Sequence, residues 1–133
     1  MVDPSYEPAA SIYPGKRNPV QQLGLWHILS SWFEPSFMVR QPIEELAERF
    51  RIRLEESWDD LDSVKMAYIE VRGETRRESY AIVRHVGRPV EGTIIWLIRD
   101  EHSAEAEPLF LRTFGLTEQD VVWRAGIEYE PDQ

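Results

Sequence analysis

Three runs of strand-forming residues, Val64–Arg72, Ser79–Val86 and Thr93–Arg99, follow one another with only Gly73–Glu78 and Gly87–Gly92 between them. β-Branched and aromatic residues fill the runs, and a glycine follows each of the first two. A parallel pair needs a crossover of roughly a dozen residues or more, so connections this short leave only antiparallel hairpins. Thr93–Arg99 reads TIIWLIR and is apolar on both faces. A strand without a polar face belongs in the middle of a sheet, covered on both sides.

Around this meander the sequence predicts helices. Val20–Phe33 opens after Asn18-Pro19, which suit a cap and a first helical position, and closes at Glu34-Pro35. Pro42 to about Ser57 places Ile43, Leu46, Ala47, Phe50, Leu54 and Trp58 on one stripe, with Glu44, Glu45 and Glu48 at its positive end. A third helix runs to about Phe114, with Pro108 in its first turn and Gly115 just past its end. Thr117 and Asp120 have the spacing of a capping box, and Val121–Ile127 reads as a fourth strand. The expected fold is α+β: an antiparallel sheet of three to four strands packed with three helices, in the order α-α-β-β-β-α-β. Residues 1–19 form an extended, proline-rich arm, 20–127 a single domain, and 128–133 an acidic tail.

Charge narrows the partners. The 133-residue chain carries a net charge of -9, and residues 101–133 hold eight acids against two arginines. Such a surface repels phosphate backbones and anionic lipid, so neither nucleic acid nor a membrane is an expected partner. There is no cysteine, which removes disulfides, thiol catalysis and cysteine-based metal sites. The longest apolar stretch, Leu23–Phe33, is interrupted by His27, Ser30 and Ser31 and is shorter than a membrane span. No signal peptide is legible, and the expected location is the cytoplasm.

Chemistry-bearing patterns are weak. His27, His85 and His102 fall on three different elements, which does not predict a zinc site. His27 beside Ser30 and Ser31 lacks an orienting carboxylate, and no glycine-rich phosphate loop is present. The densest acidic cluster is Glu55, Glu56, Asp59, Asp60 and Asp62. Clustered carboxylates suit Ca²⁺, but Trp58 and Leu61 interrupt the run and the glycine of an EF-hand loop is missing. The stretch Leu23–Val39 holds Trp26, Trp32, Phe33 and Phe37, more aromatic surface than one small core needs. These four are the expected partner-binding residues. The leading expectation is a small acidic interaction or regulatory module without catalytic activity, bound to a protein partner or to itself, with no cofactor. Two alternatives stand beside it: a divalent-cation (Ca²⁺) protein using the acidic cluster, and a small-molecule binder or enzyme with a tryptophan-lined pocket.

Overall fold

A computed structural model describes residues 18–24, 33–59, 62–87, 92–98 and 104–125. Its elements are β1 (Val20–Leu23), β2 (Phe33–Val39), α1 (Ile43–Arg49), β3 (Glu55–Asp59), β4 (Asp62–Arg72), β5 (Arg77–His85), β6 (Thr93–Ile98), α2 (Ala106–Thr113), a 3₁₀ turn (Glu118–Asp120) and β7 (Val121–Arg124). The strands make one seven-stranded antiparallel sheet in the order β1-β4-β5-β6-β2-β7, with β3 also paired to β4. The meander β4-β5-β6 matches the hairpins expected from the short connections, and β6 is an interior strand. Among the described residues no helix is long and apolar enough to cross a membrane.

The α+β class stands, but the expected three helices over three to four strands do not: the described residues hold two helices and seven strands. Each difference has a local cause. Asn18 caps no helix: its Oδ1 accepts from the Val20 N–H at 3.0 Å, and the chain leaves extended as β1. Pro19 C=O then accepts from Arg72 N–H, so β1 is pinned to β4 from its first residues. Phe33–Val39 pairs on both sides, with β6 and with β7, and so takes its conformation from the sheet. The α1 helix stops at Arg49 because Ile52 N–H bonds to Ala47 C=O at 2.9 Å and Arg51 takes a left-handed φ of 56°. Glu55–Asp59, expected in the last turns of that helix and beyond, pairs as a strand with Asp62–Met66.

β4 is the longest strand, and one of its edges is shared. Leu23 lies opposite Tyr68 and Glu55 opposite Met66, so β1 and β3 lie end to end along the same side. Gln22 joins them: its Oε1 accepts from Arg53 N–H and its Nε2 donates to Arg53 C=O at 2.8 and 2.7 Å. The side-chain amide thereby does the work of a backbone unit between two short strands.

Both helices cover one face. Alternating residues of the strands, among them Ala67, Ile69, Val71, Tyr80, Ile82, Ile95, Leu97, Phe37 and Val39, pack there with Ile43 and Leu46 of α1 and Leu109, Phe110 and Leu111 of α2. Phe110 is the hub: Phe37 meets its ring edge-on at 5.8 Å, Tyr80 lies tilted at 5.2 Å, and Phe114 stacks on it at 4.4 Å. Tyr80 is fully buried, and its hydroxyl donates to Ala106 C=O at 2.6 Å. Burial pushes its ionisation far above the usual tyrosine range, with the Glu78 charge adding to the effect.

Candidate functional site

The face opposite the helices has its own chemistry. Pairing lines up Leu23, Tyr68, Ala81, Trp96 and Pro35 in one row across β1, β4, β5, β6 and β2. A second row runs Glu55, Met66, Val83, Ile94, Met38 and Trp123 from β3 to β7. Val64, Tyr68, Ala81 and Val83 are buried at the centre, while Leu23, Phe33, Met66 and Trp96 pack around them half-buried. Ile94, Met38 and Trp123 are half-buried as well. The strands therefore present apolar side chains on both sides, as the sequence of β6 led one to expect.

A β-bulge in β2 places the aromatic residues of that strand. Phe33 pairs with Ile98 and Pro35 with Trp96, but the register slips and Phe37 pairs with Ile95. Ser36 is the extra residue. In a regular strand Phe33 and Phe37, four residues apart, would share a face, since strand side chains alternate with a period of two, and the bulge breaks that alternation. With it, Phe33 joins the second face, where its ring meets Tyr68 edge-on at 5.6 Å. Phe37 turns to the helix side and is completely buried against Phe110. Phe37, expected among the partner-binding residues, is fully buried core in this structure. Trp26 and Trp32 lie outside the described residues.

Two polar features mark the second face. Trp96 Nε1 is buried and has no hydrogen-bond partner among the described residues. A buried indole N–H left unpaired costs roughly 1–3 kcal/mol, so this donor is an open demand for an acceptor. Tyr68 is held above the usual tyrosine range, first by burial and then by the Glu55 charge. Sequence reasoning passed over Tyr68 and Trp96 because strand spacing alone cannot tell a covered face from a presented one.

The acidic cluster is split by its own strand. In β3, Glu55 and Glu56 are successive strand residues and point to opposite faces. Glu56 lies opposite Lys65, whose Nζ donates to Glu44 on α1 at 2.6 Å. Lys65 also lies opposite Arg84, so two cations sit side by side with Glu44 and Glu56 around them. The Glu44 carboxyl falls below its usual range, chiefly through the Lys65 hydrogen bond. Asp60, and the side chains of Asp59 and Asp62, lie outside what the structure describes. Among the described residues no group of three or more histidine, cysteine or acidic side chains is placed to hold a metal ion. Of the histidines only His85, on β5, is described.

A separate polar network ties the end of the chain to the sheet. Thr117 and Asp120 form the capping box expected from their spacing. Asp120 also accepts from Gln41 Nε2 at 2.9 Å, and its backbone C=O accepts from Arg40 N–H. Its carboxyl is held below the usual range, first by the Thr117 N–H and then by the Gln41 amide. Arg124 on β7 donates to Glu107 of α2 and to Glu118, a clamp that ties the edge strand to the helix. These groups are consumed by one another, and their chemistry is structural.

Compared with known protein families, with curated proteins and with solved structures, the chain matches none.

Proposed function

We propose that the chain is a protein-interaction or regulatory module that works by contact rather than catalysis, and that the second face of the sheet is its contact surface. The observation behind this reading is the half-buried apolar rim of Leu23, Phe33, Met66 and Trp96, set on the face that neither helix covers. Aromatic residues in such a position supply large contact area at low entropic cost. The net charge of -9, with Glu55 at the β3 end of the face, favours a partner with basic groups around an apolar centre.

The test is affinity capture followed by cross-linking, with the parent protein beside Phe33→Glu and Trp96→Lys variants. Unfolding curves establish first that the variants remain folded. A partner, or a second copy of the chain, held by the parent and released by both variants supports the reading. Equal capture by all three, or none by the parent, rejects it.

One observation favours a second reading. The unmet Trp96 N–H suits a small apolar ligand carrying an oxygen acceptor. Titration of ¹⁵N-labelled protein with decanoate, following the Trp96 indole resonance, separates the two. A saturable downfield shift supports the ligand, and an unmoved resonance leaves the macromolecular contact.

A further inference from the structure

We draw no further inference here: the strongest candidate, the second face of the sheet around the unpaired Trp96 Nε1, belongs to the site already described, and nothing in the structure shows what covers it.

Discussion

The two helices end in the same motif with different residues at its critical position. After α1, Ile52 N–H bonds to Ala47 C=O and Arg51 N–H to Glu48 C=O; after α2, Leu116 N–H bonds to Leu111 C=O and Gly115 N–H to Arg112 C=O. The left-handed residue is Arg51 at φ 56° in the first and Gly115 at φ 73° in the second. That conformation costs an L-residue roughly 1–2 kcal/mol, which glycine escapes. A new glycine in turn loosens the unfolded chain by about 0.4–1 kcal/mol. Arg51→Gly is therefore expected to stabilise the fold by roughly 0.5–1 kcal/mol, and Gly115→Ala to destabilise it by a similar amount. No clash adds to the second change, because a Cβ on Gly115 meets only Arg49 Nη1, at 3.9 Å. Gly92→Ala is the contrasting control. Its φ is 141°, and the added Cβ would lie 2.8 Å from both Val39 C=O and Met38 Cε. Overpacking of that kind adds about 1–3 kcal/mol to the conformational cost. Urea unfolding followed by circular dichroism reads all three as midpoint shifts at constant slope. An Arg51→Gly protein less stable than its parent would refute the reasoning, since the arginine side chain would then contribute more than its backbone conformation costs.

Tyr80→Phe removes the buried hydrogen bond to Ala106 C=O and is expected to cost about 1 kcal/mol in the same assay. The folded state holds the Tyr80 ionisation above its unfolded value of 10.0, so its contribution is complete below that pH and is lost as pH rises beyond it. The parent should lose stability above about pH 10 more steeply than Tyr80→Phe, and parallel alkaline limbs would remove Tyr80 from the account. Asp120 has the opposite sign: its lowered value gives stability that is present above 3.8 and fades as the solution is acidified further. Asp120→Asn should flatten the acid limb of a melting-temperature profile. Glu44→Gln leaves Lys65 and Arg84 facing one another with one counter-charge fewer, and a loss of a few tenths of a kcal/mol is expected at low salt. A loss unchanged in 1 M salt would mean that the effect is not electrostatic.

The parts of the fold that could be read in the sequence are those fixed by neighbours in the chain. The hairpins of β4, β5 and β6 follow from short connections and strand-forming residues, and the Thr117–Asp120 capping box and the Gly115 helix end follow from a few residues each. What escaped was fixed at a distance. Phe33 and Glu34-Pro35 read as the end of a helix, and only the pairing with β6 and β7 makes Phe33–Val39 one strand. The early end of α1 carries no sequence mark, because an arginine occupies the position where glycine would have announced the stop. The site was legible to the same extent. Phe33 was singled out from composition, but its separation from Phe37 depends on a one-residue bulge that no periodicity reveals. Tyr68 and Trp96 became visible only once the register had put them in one row.

The sheet order also carries a kinetic consequence. Each long-range pairing must close a loop before its contacts repay the entropy, so local hairpins form cheaply and distant strands arrive at greater cost. The meander is local, whereas β1 brings Val20 to Val71 and β2 brings Phe33 to Ile98. Leu23 and Phe33, which flank the second face, thus travel on strands that pair at long range, and β2 closes further still when it meets β7. Without them, the centre of that face around Val64, Ala81 and Val83 lacks the cover that Leu23 and Phe33 give it in the folded sheet. The surface proposed for contact is therefore assembled from strands distant in the chain, and β1 and β2 must both be in place before its rim is complete.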